Sequence, residues 1–200
     1  MEDGHEGCWR AHRGIAVDAL ERGLAVATVF ESDVHFHTEF LDDPSFYLTA
    51  AERGLAAMSK DWDIFFLAQN AEAMQLLGAA HPAHCRPQRP HSCTRVVAVR
   101  AWGGAAYVIQ RQMMHTVASS QYGHLLGGTI DGLFRFAKAL AIHPNVAYHP
   151  DNWSSTEQRR RNLRWRKHAA ALFSQARVGV GGPSFGHETS KCERCLVVPM

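Results

Sequence analysis

The sequence predicts a three-layer α/β domain built around a mostly parallel central sheet. Two apolar runs and the segments before them support this. Leu24 to Phe30 and Trp62 to Leu67 are almost uninterrupted apolar stretches of strand length. Strands covered on both faces read this way, whereas half-exposed strands alternate. Each run follows a segment with helical apolar spacing, which makes an αβ step. The chain has 200 residues, 46% of them hydrophobic, enough for one domain with a real core.

The elements follow in order. Residues 11–22 predict a helix, with Ile15, Ala16, Ala19 and Leu20 on one stripe and Gly23 as the stop. Leu24 to Phe30 is the first strand. Asp43-Pro44 opens a second helix, with Asp43 as N-cap and Pro44 at the first helical position. Phe46, Ala50, Ala51, Leu55 and Met58 share its face. Trp62 to Leu67 is the next strand, and residues 71–80 are expected to form a short helix. Residues 81–94 hold Pro82, Pro87 and Pro90 and read as a surface loop. Arg95 to Trp102 and Ala105 to Ile109 are β-rich and split by Gly103-Gly104. Residues 111–119 and 131–141 read as helices, the second after Gly127-Gly128. Asn145 to Tyr148 reads as a short last strand. Three segments result: a domain over 1–155, a basic helix over 156–176 and a flexible tail over 177–200.

Charge limits the function classes. Twenty-one Lys and Arg against nineteen Asp and Glu give a net charge of +2, which does not point to nucleic acid or a membrane surface. No run of about 18 apolar residues predicts a transmembrane helix. Met1 to Glu6 is acidic and polar, unlike a secretory signal. The five cysteines are odd in number and form no dense framework, so a reducing, cytoplasmic setting is favoured.

Val29-Phe30-Glu31-Ser32-Asp33-Val34 carries the first chemistry. Glu31 and Asp33 follow the first strand at i and i+2. In extended chain such residues share a face, here at the carboxyl end where open α/β sheets bind ligands. Paired carboxylates suit a hard divalent cation, which in turn holds a diphosphate. Two solvated loop acids are the alternative. His35 and His37 lie just beyond, either as additional cation ligands or as surface histidines.

Four segments, taken in order, resemble glycosyltransferase family 25, the group of lipopolysaccharide-type and procollagen-type galactosyltransferases. Gly7-Cys8-Trp9-Arg10-Ala11-His12 is similar to the family's Gly-Cys-x-x-Ser-His opening. Glu31-Ser32-Asp33-Val34 is similar to its Glu-Asp-Asp-Val strand end. Asp61-Trp62-Asp63-Ile64 resembles its Trp-Asp-hydrophobic strand, and Ala106-Tyr107-Val108-Ile109 its Ala-Tyr-hydrophobic-Ile segment. The likeness runs from about residue 7 to about residue 155. Ser32 stands in place of the middle acid and Ala11 in place of a serine. The family's opening strand and loop have no counterpart before Gly7, so an N-terminally truncated, incomplete copy is expected.

The resemblance implies a GT-A-like fold and an inverting hexose transfer, of galactose or glucose, from a nucleotide sugar such as a UDP-hexose. The acceptor is a saccharide or glycoprotein. It implies that Glu31 and Asp33 bind Mn²⁺ or Mg²⁺ with the donor diphosphate, and that His12 faces the donor. An inverting displacement needs a general base. Asp131 is the candidate, ahead of Asp63, and a helix N-cap is the alternative for Asp131. A catalytically inactive family member serving as a binding or partner subunit is the rival reading.

Two clusters remain outside this scheme. Arg159-Arg160-Arg161-Asn162-Leu163-Arg164-Trp165-Arg166-Lys167 places six cations around a tryptophan. Such a segment grips phosphates in a nucleic-acid-binding module, rests on an anionic membrane surface or, as the favoured reading, is simply a solvated helix face. Cys192 and Cys195 form a lone Cys-x-x-Cys without the second pair that zinc sites need.

Overall fold

A computed structural model describes residues 4–58, 61–76, 84–86, 89–125, 129–148, 153–154, 159–160 and 195–198. Helix α1 (Gly4–Glu21) leads into strand β1 (Val26–Glu31), β2 (His35–Phe36) and helices α2 (Thr38–Asp42) and α3 (Pro44–Ala57). Strands β3 (Ile64–Leu76), β4 (His84–Arg86) and β5 (Arg89–Gln110) follow. Helices α4 (Arg111–Ser119) and α5 (Ile130–Phe134) precede strands β6 (Ala139–His143) and β7 (Ala147–Tyr148). Three short strands complete the described chain: β8 (Trp153–Ser154), β9 (Arg159–Arg160) and β10 (Cys195–Val198).

The main sheet has six strands in the order β10-β1-β5-β3-β6, with β4 on β5. It is mostly antiparallel, which corrects the expectation of a mostly parallel sheet. Strand β5 explains the difference. It lies antiparallel between β1 and β3, pairing Val29 with Tyr107 and Phe66 with Tyr107. Strands β1 and β3 therefore run the same way, and β6 is parallel to β3. Three strands keep the expected common direction, but a reversed strand separates two of them. The amino-terminal part of β5 then pairs with β6, Val97 opposite Ala141. The register of β5 against β3 shifts beside Gly103, whose φ of 102° needs a glycine. The Gly103-Gly104 break is thus a bend within one strand, not a boundary.

Alternation assigns residues to the two faces of this sheet. Ala27, Val29, Ile64, Phe66, Val97, Val99, Tyr107, Ile109, Ala139 and Ala141 pack with α1, α4 and α5. Phe65, Val96, Val108, Leu140 and Ile142 pack against Tyr47 of α3 on the other face. Helices thus cover both faces, which is why the strands read as continuous apolar runs.

Several local expectations hold. Asp43 caps α3, its Oδ1 accepting from Phe46 N at 3.2 Å, with Pro44 as first helical residue. Helix α4 spans the expected 111–119. Others need correction. Residues 71–76 continue β3 rather than opening a helix, and the expected loop over 81–94 contains β4 and the start of β5. The expected helix over 131–141 ends at Phe134, and β6 begins at Ala139. Strand β10 pairs antiparallel with β1, so part of the expected flexible tail belongs to the sheet. The expected basic helix lies outside the described residues, except for Arg159–Arg160 in β9.

Cys85 and Cys93 face each other across β4 and β5 and form a disulfide. Sequence spacing without an oxidising context did not indicate this pair, and it does not favour the reducing setting expected from the cysteine count. Among the described residues, no helix is long and apolar enough to cross a membrane.

Gly54 lets α3 sit directly on β5. A Cβ there would collide with Val96 Cγ2 and lie 2.7 Å from Val96 Cβ. Gly54→Ala is expected to destabilise the domain by about 1–3 kcal/mol, the usual range for overpacking. Combining it with Val96→Ala should recover part of that loss. Urea denaturation of the two single variants and the double variant checks this, and strict additivity would exclude the collision.

Candidate functional site

The site grows from one face of α1. Cys8, His12, Ala16 and Ala19 recur at helical spacing and are all buried. His12 is the polar member, and its side chain is 0% exposed. A buried imidazole needs partners, and two lie on other elements. Its Nδ1 lies 2.6 Å from the Tyr107 hydroxyl of β5, 95 residues away. Its Nε2 lies 3.9 Å from Glu31 Oε1, at the carboxyl end of β1.

Aromatic rings hold this arrangement. The His12 ring stacks on Tyr107 with centroids 5.7 Å apart and meets the edge of Phe134 at 6.2 Å. Tyr107 and Phe134 are themselves 5.0 Å apart in a T-shaped pair. Phe134 ends α5, the same short helix that carries Asp131.

The structure therefore brings His12 and Glu31 together and places Asp131 on the helix packed beside them. Asp131 is only 3% exposed. It is not the N-cap of its helix. Thr129 has that role, its Oγ1 accepting from Gly132 N at 3.3 Å. Asp63, the second base candidate, serves structure instead. Its Oδ2 accepts from Lys138 N at 2.8 Å, joining the starts of β3 and β6. Those starts are at the opposite end of the sheet from Glu31, because β1, β3 and β6 run the same way.

Strand alternation requires extended chain through residue 33. Strand β1 ends at Glu31, and Val34 N donates to Glu31 O at 3.2 Å. Glu31 and Asp33 are thus joined by a tight turn, not by strand alternation. Their all-oxygen donor set suits Mn²⁺ or Mg²⁺. Among the described residues no group of three or more His, Cys, Asp or Glu side chains is placed to hold a metal ion. Two carboxylates alone would leave most of such a cation's ligands to come from elsewhere.

His35 and His37 lie beyond the turn, and both rings meet Tyr148. The centroid separations are 6.0 Å and 4.5 Å. The pairing of β2 with β7 creates this contact, and His37 N donates to Val146 O at 3.0 Å. Both histidines are thus engaged with an aromatic ring, His35 exposed in β2 and His37 at the N-cap of α2. Cys195 lies in β10, while Cys192 and residues 161–167 fall outside the described residues.

Sequence reasoning named His12 and Glu31 separately and did not join them through Tyr107. The Ala-Tyr-Val-Ile segment was legible as a strand, but alternation alone does not say which helix its tyrosine meets. Comparison with known proteins adds no assignment: no protein-family model and no curated protein matches this chain.

Proposed function

We propose that the chain is a cation-assisted, inverting glycosyltransferase of the GT-A type, using a nucleotide-sugar donor and a saccharide or glycoprotein acceptor. One observation carries the reading. His12, Glu31 and Tyr107 come from three separate segments that resemble family 25 motifs, and they meet at one end of the sheet. The shared direction of β1, β3 and β6 also supports it, since ligands bind beyond the carboxyl ends of such strands.

In this reading Glu31 and Asp33 hold the cation. When bound, the cation neutralises charge on the leaving diphosphate as a Lewis acid. The acceptor oxygen forms a bond to the sugar's anomeric carbon as the bond to the diphosphate oxygen breaks. The electron pair leaves on that oxygen, and Asp131 accepts the acceptor's proton. His12 lies behind Glu31, with Tyr107 and Phe134 excluding water around its ring.

Calorimetry with UDP and Mn²⁺ tests the cation role. Asp33→Ala, at a half-buried position in the turn after β1, is expected to weaken Mn²⁺-dependent UDP binding by about tenfold or more, as loss of one of two carboxylates implies. Unchanged binding removes Asp33 from the site. If the unaltered protein does not bind UDP with Mn²⁺, or binds it but transfers no hexose, the transferase reading fails.

A further inference from the structure

We propose that the Cys85–Cys93 disulfide is a thiol-exchange site: an external monothiol attacks Cys85 Sγ, Cys93 leaves as the thiol, and strand β4 is freed from helix α3.

The two sulfurs differ in access. Cys85 is exposed in β4, whereas Cys93 is half-buried in β5. Exchange starts with a thiolate attacking one disulfide sulfur, and access helps decide which one. The attacking sulfur bonds to Cys85 Sγ as the bond between Cys85 and Cys93 breaks. The electron pair leaves on Cys93 Sγ, which then takes up a proton. A second molecule of the monothiol attacks the sulfur of the first and releases Cys85, which is protonated in turn. Both protein sulfurs end reduced, and the two monothiols end oxidised to one disulfide.

The bond is placed where its loss acts locally. Cys85 and Cys93 are directly opposite in the β4–β5 ladder and eight residues apart in the chain. Neither belongs to the core clusters of the described residues. Strand β5 keeps its pairings with β1, β3 and β6 whether or not the bond is closed. Strand β4 differs. It has three residues, and among the described residues it pairs with β5 alone. A short two-stranded ribbon is marginal without further support.

That further support comes from α3. The His84 ring stacks on Phe46 with centroids 4.8 Å apart, and Arg53 Nη1 donates to His84 Nδ1 at 3.1 Å. Phe46 packs in turn against the cluster around Tyr47. The disulfide ties Cys85, the residue after His84, to the central strand and so holds the imidazole over Phe46. Opened, it leaves β4 to its short ladder and the His84 contacts, and the Phe46 face gains access to solvent. Exposed disulfides are the labile and regulatory ones. None of this depends on the transferase reading.

The test treats the unaltered, oxidised chain with 2-mercaptoethanol in the absence of denaturant. Acid quenching, alkylation of free thiols and peptide mass spectrometry then locate the adduct. The expected result is 2-mercaptoethanol joined to Cys85, with Cys93 alkylated. An adduct mainly on Cys93, or a bond that resists reduction until the chain is unfolded, overturns the proposal. So does alkylation of both cysteines before any reductant is added. Hydrogen exchange reads the consequence. In the reduced protein, amides of residues 84–86 should exchange about tenfold faster or more, while those of α1, β1 and β6 keep their rates. Unchanged rates at 84–86, or acceleration throughout the chain, overturn the local release. Cys93→Ser should reproduce the reduced pattern without reductant, and an oxidised-like pattern in that variant counts against the proposal. If the variant does not fold, the two measurements on the unaltered protein decide.

Discussion

Phe134→Ala is expected to destabilise the protein by about 3–5 kcal/mol, the range for deleting a buried aromatic ring. Phe134 is fully buried and is the ring around which the candidate site is assembled. It touches His12, Tyr107 and Phe66, with centroids 6.2, 5.0 and 6.4 Å away. The backbone makes room for it. A Cβ on Gly104 would lie 3.0 Å from Phe134 Cε2, so the strand approaches the ring closely at that glycine. Removing the ring leaves a void flanked by stiff aromatic groups that cannot easily collapse into it. The cost should therefore fall toward the upper part of the range. Phe136, two residues on, is 75% exposed and provides the internal control. Phe136→Ala should change stability by no more than about 0.5 kcal/mol. Urea midpoints for the two variants measure the contrast. Equal shifts would mean that α5 is not seated as described.

Acid should weaken the fold through His143. Its pKa is lowered to about 4, first by burial and then by the nearby Arg95 charge. Arg95 is its cross-strand partner in the β5–β6 ladder, so protonation would place two cations opposite each other. The sign follows from proton uptake. Between about pH 6.5 and pH 4 the unfolded chain protonates this histidine and the folded chain does not. Stability from this group is complete above the unfolded pKa and is lost as pH falls toward the folded pKa. The full loss is about 3 kcal/mol, at 1.36 kcal/mol per pH unit. His143→Gln should flatten the curve of unfolding free energy against pH by nearly one proton across this window. Chemical denaturation at a series of pH values measures the slope. An identical slope in the variant would exclude His143 as its source.

The sequence was most legible where one short-range rule dominated. Asp43-Pro44 announced a helix start because capping and a fixed proline φ act within three residues. Residues 24–30 and 62–67 announced strands because burial on both faces leaves no polar positions. Sheet direction was not legible in the same way. Apolar runs look alike in parallel and antiparallel strands when helices cover both faces, and β5, inserted between β1 and β3, reverses the pattern. Residues 131–141 misled for a related reason. Leu133, Phe134, Ala137 and Leu140 suit a helix face, but Leu140 belongs to a strand on the opposite core. Gly103-Gly104 marked a change of direction that is resolved by a bend rather than an end. In the candidate site, Glu31 and His12 could be named from local context. Their meeting depends on Tyr107, which no local rule connects to either.

The position of β5 has a consequence for how the chain is made. This strand is hydrogen-bonded to β1, β3, β4 and β6, so most of the pairings described in the sheet pass through it. When β1 and β3 have been synthesised, neither has its central neighbour. Their first partner is the carboxyl-terminal part of β5, and the amino-terminal part waits longer for β6. Pairings so distant in sequence must offset loop-closure entropy before they yield stability, which slows folding. The apolar strands that make a good core would meanwhile remain unpaired on the nascent chain, and such strands invite self-association. A domain arranged around one late strand should therefore fold cooperatively, depend on chaperone protection before residue 110 has emerged, and offer no stable half-domain to work from.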